Sequence, residues 1–354
     1  MLIGIHPDEN GKGSFSDKWI DFLQKKDIYY TILDLTRSDA IEQAKQCDGI
    51  MWRWAHNPQD KQCAQKILFS IEHILKIPVF PDTSTSWHYD EKTAQFYLLG
   101  EIGAPVPGTW LFWQRDAAIE WARSAAYPLI FKLSSGAGSS NVMKVTNFAQ
   151  ADILIHKMFD RGFFPYTVNE FQKTPIPTNL SGCKAFLSRF LHAFSYVFLG
   201  DYPPLNPSFW KPEYGYAYFQ EFLQGNEFDT RITIIGDRAF AFHRMNRPGD
   251  FRASGSGNIN YDPEKIDKRC IEIAFKISGE CRFQSMAYDF LVKDNNPVVC
   301  EISYTFSDQA VYDCPGYWNS RMQWHDRHMW PEEAQCEDFI NKIYSTKNRV
   351  SKSS

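Results

Sequence analysis

The chain has 354 residues, more than one hydrophobic core usually organises, so two or three compact units are expected and a single small module is excluded. Apolar residues make up 44% of the chain and charged residues 23%, values that are typical of globular proteins and exclude a disordered chain. The 38 basic and 42 acidic residues give a net charge of −4, so no overall electrostatic attraction draws the protein to nucleic acid or anionic lipid.

The sequence shows no sign of a membrane or secreted protein. No apolar run has the length of a membrane span, and residues 1–6 lack the basic start of a signal peptide. The eight cysteines form no C-x-x-C pair, a pattern that favours reduced thiols over disulfides or structural zinc. We therefore expect a cytoplasmic protein without membrane insertion.

Residues 1–85 alternate between strand and helix patterns. Short apolar runs at 2–5, 28–35, 49–52 and 77–80 predict strands, and helices are predicted between them around 19–23, at 41–45 and at 67–75. This alternation predicts a parallel sheet. Pro81 and Asp82 break the pattern, and a domain boundary is expected near Thr85.

The next segments predict a second domain of mixed helices and strands. A helix is predicted at 90–99, and strands at 128–133 and 142–145 flank a Ser/Gly-rich loop, which together describe a hairpin with a tip that can close over a ligand. Residues 159–218 are rich in aromatics and proline and are interpreted as an insertion, with a helical stretch at 184–198. Further strands are predicted at 219–223, 230–235, 239–245, 287–292 and 298–303, with a helix at 270–279 and a disordered tail at 347–354.

Two carboxylates lie inside predicted buried strands. Strands rarely accept ionised acids unless these are paired or bind a cation, so Asp289 and Glu301 need a partner. If their strands form a hairpin, both carboxylates can face one side and hold Mg²⁺ together with phosphate. The alternative is that each forms an ion pair with an arginine.

Basic residues accompany these acids. Lys132 ends an apolar strand directly before the glycine-rich loop, where an ammonium can reach phosphate, although such loops are mostly ordinary turns. Arg231 and Arg244 lie on neighbouring predicted strands and suit a clamp for a phosphoryl group. A lattice of ion pairs that includes Arg247 and Arg252 is the alternative.

From about Asp90 to Asp308 these features, taken in order, resemble the ATP-grasp superfamily, in particular the branch of ribosomal-protein glutamate ligases and glutathione synthetases. The resemblance implies that Lys92 and Lys132 contact ATP phosphates, with the loop residues Gly136 and Ala137, and that Gln220, Glu221, Phe222 and Leu223 form the hinge around adenine. It implies nucleotide contacts for Asp229 and Arg252, positions near the γ-phosphate and the acyl phosphate for Arg231, Arg244 and Lys132, and metal ligation by Asp289, Glu301 and Ser303. The substrate positions that it implies are Arg247, Ser254, Ser256 and Tyr304.

Some positions depart from the pattern of this family. Ser303 stands where asparagine is usual, and a hydroxyl is a weaker metal ligand. Ser254 also replaces an asparagine, and residues 304–308 replace a small-residue Pro-Gly turn. The resemblance therefore leaves the number of metal ions and the substrate geometry open.

The fold class expected from the resemblance is α/β and α+β. A Rossmann-like domain that precedes the ATP-grasp fold spans 1–85, and the ATP-grasp domain spans 86–346. The latter divides into a lid subdomain, 86–218, which includes the insertion, and a C-terminal subdomain, 219–346.

The function implied is an ATP- and Mg²⁺-dependent carboxylate–amine ligase that works through an acyl phosphate on small-molecule substrates. The aromatic segment 314–330 favours a uronic-acid-type glycan as the carboxylate substrate in polysaccharide biosynthesis, although packing of these rings against the core is the simpler interpretation. A metal site at His325 and His328 matches no zinc spacing well. An amino-acid or peptide ligase, an ATP-grasp phosphotransferase and a non-catalytic carbohydrate-binding protein are the alternatives.

Overall fold

The computed structural model describes residues 1–8, 14–54, 56, 58–136, 141–165, 211–247, 249, 251 and 257–353, with only the backbone of the last five. The predicted helix at 184–198 and the candidate residues Ala137, Arg252, Ser254 and Ser256 lie outside the described residues. Two compact units are present: residues 1–107 with 223–354, and residues 108–222. The sequence assigned 86–107 to the lid subdomain, whereas the structure groups this segment with the first unit.

The amino-terminal part of the first unit is a parallel four-stranded sheet in the order β2-β1-β3-β4, as the strand–helix alternation predicted. Ser14 caps the first connecting helix by accepting a hydrogen bond from the Asp17 amide. The third helix begins at Pro58, well before the predicted 67–75, because proline is favoured in the first turn and the polar first turns hide the apolar spacing. The strands are β1 (Leu2–Ile5), β2 (Tyr29–Ile32), β3 (Gly49–Met51) and β4 (Val79–Phe80), and the helices are α1 (Phe15–Lys25), α2 (Ala40–Ala44) and α3 (Pro58–His73).

The carboxyl-terminal part of the first unit is a seven-stranded sheet in the order β13-β12-β9-β10-β14-β15, with β11 paired to β10. The two predicted hairpins are confirmed as antiparallel pairs β9·β10 and β12·β13. Asp294 and Asn295 have positive φ in the second turn, as a tight hairpin requires. The strands are β9 (Phe228–Ile235), β10 (Arg238–Met245), β11 (Ile259–Asn260), β12 (Ser285–Lys293), β13 (Asn296–Ser303), β14 (Tyr317–Asn319) and β15 (Trp324–His325).

The two faces of this sheet are covered differently. One face packs on α8 (Lys268–Cys281) and shares a hydrophobic core with the amino-terminal sheet. On the other face the apolar half, which includes Ile235 and Phe240, packs against α1 and the carboxyl-terminal helix α10 (Pro331–Ser353). The polar half of that face carries the candidate site. Helix α10 continues through residues 347–353, for which the sequence predicted disorder.

The outer edge of this sheet, β13, is covered by the segment that follows the amino-terminal sheet. After α4 (Thr83–Ser86), helix α5 (Lys92–Glu101) places Gln95 so that its amide donates to Ile302 O at 2.9 Å and accepts from Ile302 N at 3.4 Å. Pro105 O accepts a hydrogen bond from Val299 N. These bonds satisfy an edge that would otherwise expose its backbone, and they bind α5 to the first unit.

The described residues of the second unit form an antiparallel sheet in the order β5-β8-β6-β7 and two helices. The predicted strand–loop–strand hairpin is confirmed as β6·β7, but β5 and both helices were not predicted. Its core contains the rings of Phe131, Phe163 and Phe219. The strands are β5 (Thr109–Phe112), β6 (Leu129–Lys132), β7 (Val142–Val145) and β8 (Ala217–Glu221), and the helices are α6 (Arg115–Ser124) and α7 (Phe148–Asp160).

The seven cysteines within the described residues are free thiols, as the sequence predicted. No helix in this part of the chain combines the length and the apolar composition of a membrane span.

A buried acid lies at the start of α10. Glu332 is fully buried, and neither of its carboxylate oxygens has a hydrogen-bond partner among the described residues. Lys18 Nζ lies 3.6 Å away and also pairs with Asp308, at the start of α9 (Asp308–Tyr312). Burial raises the pKa of Glu332 to about 8.

This pKa predicts a pH-dependent stability. The folded state retains a proton that the unfolded chain loses above 4.5, so stability should fall as the pH rises from 4.5 to about 8. Glu332→Gln should flatten this part of the curve, measured as the urea midpoint between pH 5 and pH 8. Glu333→Gln, on the next and partly exposed residue, is the control and should keep the slope of the wild type. Equal slopes in wild type and Glu332→Gln would contradict the raised pKa of Glu332.

Candidate functional site

Charged side chains gather on the polar half of one sheet face in the first unit. Asp229 and Arg231 lie on β9 and Arg244 on β10, and their register places Arg244 opposite Asp229. Asp289 on β12 lies opposite both Arg231 and Glu301. Directly opposed residues of antiparallel strands share a face, so the predicted hairpin does bring Asp289 and Glu301 together.

Four of these residues form one ion-paired group, which we call the Asp/Arg cluster: Asp229, Arg231, Arg244 and Asp289. Arg231 donates from Nε and Nη2 to the two oxygens of Asp289, at 2.7 and 2.8 Å. Arg244 makes the same two-pronged contact with Asp229, at 2.7 and 2.6 Å. Its Nη2 also lies 2.7 Å from Asp289 Oδ2, so Asp289 holds both arginines.

Because these side chains are largely buried, their ion pairs strongly affect their pKa values. Although burial alone would raise the pKa of Asp289, the guanidinium groups of Arg231 and Arg244 lower it far below its ordinary value. Burial and the Asp289 charge raise the pKa of Asp229 in spite of Arg244. The two aspartates raise the pKa of Arg244, against the effect of burial. Asp289 is therefore the firmly ionised centre of the cluster.

The arginines keep donors for a ligand. Their hydrogen bonds use Nε and Nη2, and Nη1 of each has no hydrogen-bond partner among the described residues. A guanidinium fixed on one side and available on the other suits an oxyanion such as phosphate.

Glu301 and Lys92 form a second pair beside the cluster. Lys92 Nζ lies 3.1 Å from Glu301 Oε1, and the lysine side chain is only 7% exposed. Glu301 is 37% exposed, which makes it the most accessible carboxylate of the group. Helix α5 supplies this lysine from its first turn, directly above the edge strand.

The turn before α5 is fixed by residues that the sequence did not single out. Asp90 has φ of 54°, a left-handed conformation that Asp tolerates. Lys61 Nζ donates to Asp90 O and to Glu91 Oε1, at 2.9 and 3.0 Å, and His56 lies 3.5 Å from the Asp90 carboxylate. Neighbouring cations and the His56 hydrogen bond lower the pKa of Asp90 although burial opposes this. The sequence gave no signal of this arrangement, because Lys61 and His56 lie about 30 residues before Asp90 in the chain.

The residues after β13 form hydrogen bonds with one another and with the segments that follow the amino-terminal strands. Ser303 Oγ donates to Thr305 O at 2.8 Å. Tyr304 is 2% exposed, and its hydroxyl donates to Trp54 O and accepts from Trp54 N. The structure thus gives Tyr304 a supporting role in place of the substrate contact that the sequence predicted, because both hydrogen-bonding directions of the hydroxyl face the backbone. Thr305 Oγ1 donates to Tyr89 at 2.9 Å.

The second unit holds the other predicted nucleotide residues. Lys132 Nζ donates to Gln220 Oε1 at 2.6 Å, and Gln220 Nε2 donates to Thr109 at 3.2 Å. Glu221 accepts from Gly108 N at 3.1 Å. Lys144 lies 3.8 Å from the Phe222 ring centroid. The chain crosses between the units after Phe222, inside the predicted hinge of 220–223, so Leu223 belongs to the first unit.

The loop that follows Lys132 is anchored by Glu213, which sequence reasoning missed. Its carboxylate accepts from the amides of Ser134 and Ser135, at 2.9 and 3.2 Å, and from the Tyr216 hydroxyl. Gly136 has φ of 110°, which favours glycine. Glu213 gave no signal because it lies in the aromatic-rich segment, far along the chain from the loop.

The remaining predicted positions are less informative. Arg247 is partly exposed just after β10. In the aromatic segment, Trp318 is 4% exposed, Tyr312 stacks on Trp330 at 4.0 Å, and Tyr317 stacks on His325 at 5.0 Å, so much of this segment serves packing. Within the described ranges, no group of three or more His, Cys, Asp or Glu side chains is arranged to hold a metal ion.

Parts of this chain are similar in sequence to known proteins. Residues 216–309 match the family described as the RimK-like ATP-grasp domain. A curated relative, the alpha-aminoadipate–LysW ligase LysX of Saccharolobus solfataricus, is 23% identical over 201 residues, which cover 56% of this chain and 55% of the relative. The matched region thus spans about half the length of that protein.

Solved structures of ATP-grasp proteins share the fold over nearly the whole chain. The ATP-grasp ligase PsnB, complexed with a minimal precursor, Mg and ADP, has a TM-score of 0.56 at 11% identity and covers 97% of this chain and 98% of its own. The RimK domain protein from Sphaerobacter thermophilus has a TM-score of 0.53 at 11% identity, with 96% and 99% covered. At this identity the likeness concerns the fold.

The geometry predicts that the two acids differ in their effect on stability. Asp289→Asn removes the charge shared by two largely buried arginines and should lower the free energy of unfolding by about 3–5 kcal/mol. Glu301→Gln affects one partly exposed pair and should lower it by about 1 kcal/mol or less. Urea unfolding of the two variants tests this, and equal losses would contradict the central place of Asp289.

Proposed function

We propose that this chain, which matches the RimK-like ATP-grasp domain over residues 216–309 and shares the fold of ATP-grasp ligases, is an ATP-dependent carboxylate–amine ligase. The observation that carries the proposal is the Asp/Arg cluster together with the Lys92–Glu301 pair on one sheet face. This set combines fixed cationic donors for phosphoryl oxygens with two opposed carboxylates.

The proposed reaction has two steps. A carboxylate oxygen of the first substrate attacks the γ-phosphorus of ATP, and ADP leaves with the electrons of the broken bond, which gives an acyl phosphate. A neutral amine then attacks the acyl carbon, phosphate leaves, and the amine proton is lost as the amide forms. Arg231, Arg244 and Lys92 would hold the charged oxygens of both steps by fixed hydrogen bonds and charge. No protein nucleophile is needed.

Magnesium is proposed as the metal, and the donor set fits it in kind. Asp289 and Glu301 offer only carboxylate oxygens, on adjacent strands, and Mg²⁺ commonly takes one or two carboxylates and completes its shell with phosphate and water. Asp289 Oδ2 accepts from both arginines and, among the described residues, Oδ1 accepts from Arg231 alone, so the Glu301 carboxylate is the group best able to serve as a ligand, followed by Asp289 Oδ1. Ser303 is a weaker ligand because its hydroxyl is engaged with Thr305. Bound there, the metal would neutralise phosphate charge.

The nucleotide contacts proposed for the second unit rest on the sequence pattern and on local order. Lys132 is held by Gln220 at the end of β6, next to the loop that Glu213 anchors. Phe222, in the predicted adenine hinge, is steadied by Lys144. A buried lysine at a fixed position can bind phosphate without first losing side-chain freedom.

The acceptor is proposed to be an amino acid or peptide amine. The name of LysX includes an amino acid, alpha-aminoadipate, and several rings of the aromatic segment that favoured a glycan are used in packing. A uronic-acid-type carboxylate is the second candidate. The observation that favours it is the ring of Trp324, which is 37% exposed. A panel of uronates and amino acids, scored by phosphate release, separates the two.

Nucleotide binding should raise the thermal stability. ATP with Mg²⁺ at about 100 times its Kd should stabilise the protein by about 2.7 kcal/mol, and AMP should stabilise it less. Lys132→Ala should remove the shift, whereas Lys276→Ala, on an exposed lysine of α8, should keep it. Thermal unfolding with ATP, ADP and AMP, with and without Mg²⁺, gives the answer. No shift with any nucleotide would overturn the proposal.

Glu301→Gln should abolish Mg²⁺-dependent turnover while leaving the protein folded. The reason is that Glu301 is the more accessible metal carboxylate and contributes little to stability. ADP release is measured with the variant and with Glu280→Gln, an exposed control on α8. Full turnover in Glu301→Gln would exclude it as a metal ligand.

A further inference from the structure

An unusual pair of charges lies at the carboxyl ends of the amino-terminal strands. Asp8 follows β1 and Arg53 follows β3, and these two strands are neighbours in the parallel sheet. In open α/β sheets ligands bind at the carboxyl ends of the strands. None of the residues predicted from the sequence to bind a ligand lies here.

The two charges face each other without forming a hydrogen bond. Arg53 Nη1 lies 3.8 Å from Asp8 Oδ2, and the side chains are 13% and 5% exposed. Arg53 Nε and Asp8 Oδ2 are buried, and neither has a hydrogen-bond partner among the described residues. A buried donor or acceptor left unsatisfied is costly, so this spacing needs an explanation.

Neighbouring side chains hold the pair in place. Asp8 Oδ1 accepts from Ser16 Oγ at 2.7 Å, and the Arg53 guanidinium carbon lies 4.1 Å from the Phe15 ring centroid. Both groups are therefore held in place by neighbouring side chains. Fixed, unsatisfied and opposite charges are what a bound zwitterion would complement.

The pair adjoins the residues that follow the candidate site. Phe15 packs edge-on to Phe306 at 6.1 Å, and the backbone of Trp54, next to Arg53, is held by Tyr304. Phe306 and Tyr304 lie a few residues beyond Glu301 on the same chain segment. A ligand at Arg53 and Asp8 would therefore lie beside the elements that carry the cluster.

We propose that Arg53 and Asp8 recognise the α-carboxylate and the ammonium of an α-amino acid, a substrate of the ligase. The carboxylate would accept from Nε of Arg53, and the ammonium would donate to Oδ2 of Asp8. This assignment deepens the proposed function, and the statement that the amino acid is a substrate rests on that function. An inorganic anion would satisfy only Arg53, and a simple amine would satisfy only Asp8, whereas a zwitterion offers a partner to both.

The test compares α-amino acids with two altered forms of each. Binding to the full-length protein is measured by calorimetry, with and without Mg²⁺ and a non-hydrolysable ATP analogue, for the standard amino acids in both enantiomers, their amides and their N-acetyl derivatives. At least one free amino acid should bind about ten- to a hundredfold more tightly than either altered form, because each alteration removes one charge-assisted hydrogen bond. Equal binding of acid and amide, or no binding of any amino acid, overturns the proposal.

Variants assign the two charges separately. Arg53→Gln should weaken binding of the free acid to the affinity of its amide and leave binding of the amide unchanged. Asp8→Asn should reduce the preference for the free amine over the N-acetyl form. Arg37→Gln, an exposed arginine after β2, is the control and should bind as the wild type does. If Arg53→Gln does not fold, Arg53→Lys keeps the charge, loses the planar fork and should show part of the same loss. An Arg53 variant that folds and retains the full preference for the acid contradicts the proposal.

Failure of this inference is distinguishable from failure of the proposed function. If the wild type releases ADP with an amine but shows no preference for acid over amide, the ligase stands and the Arg53 assignment falls. If amino acids bind with that preference and Arg53→Gln removes it, while no substrate releases ADP, the site stands and the ligase activity falls.

Discussion

The first unit depends on one carboxylate that is shared by two guanidinium groups. Asp289 accepts from Arg231 on one neighbouring strand and lies 2.7 Å from Arg244, one strand further. Any one-residue slip of β9, β10 or β12 would turn a charge to the opposite, apolar face and leave its partners buried and unpaired. The cluster therefore fixes the register of three strands, in addition to orienting two arginines.

This constraint explains how one sheet serves both packing and chemistry. Along the same face, Phe240 and Ile235 pack against α10 and α1, and the charged residues occupy the other half. The opposite face is apolar throughout its centre and packs on α8. The charged side chains of the other half are held by each other.

The sequence predicted the parts of the molecule that short-range patterns encode. The Asp289–Glu301 juxtaposition followed from a tight turn between two apolar runs, and the placement of Arg231 and Arg244 on neighbouring strands followed from the turn at Gly236. The ordered motifs also led correctly to the ATP-grasp fold. Long-range partners gave no such signal: neither the hold of Glu213 on the glycine-rich loop nor the coverage of the β13 edge by Gln95 can be found from spacing, because each joins segments far apart in the chain. Tyr304, which the sequence predicted to contact substrate, instead bonds the backbone of Trp54, a residue that follows β3 and lies far from Tyr304 in the chain.

The charge balance of the site bears on how a polyanion would bind there. Asp229, Asp289 and Glu301 cancel Arg231, Arg244 and Lys92, so the group is neutral and offers little attraction by net charge. Its value for phosphate lies in orientation, since the aspartates hold Nε and Nη2 of each arginine and leave Nη1 without a hydrogen-bond partner among the described residues. Donors that are already fixed need no reorganisation as charge develops on a phosphoryl group, and this is the larger part of electrostatic stabilisation in a dry site. The acids thus act as holders of the cations, and Glu301, the most accessible of the three, is the one whose charge a metal ion can use.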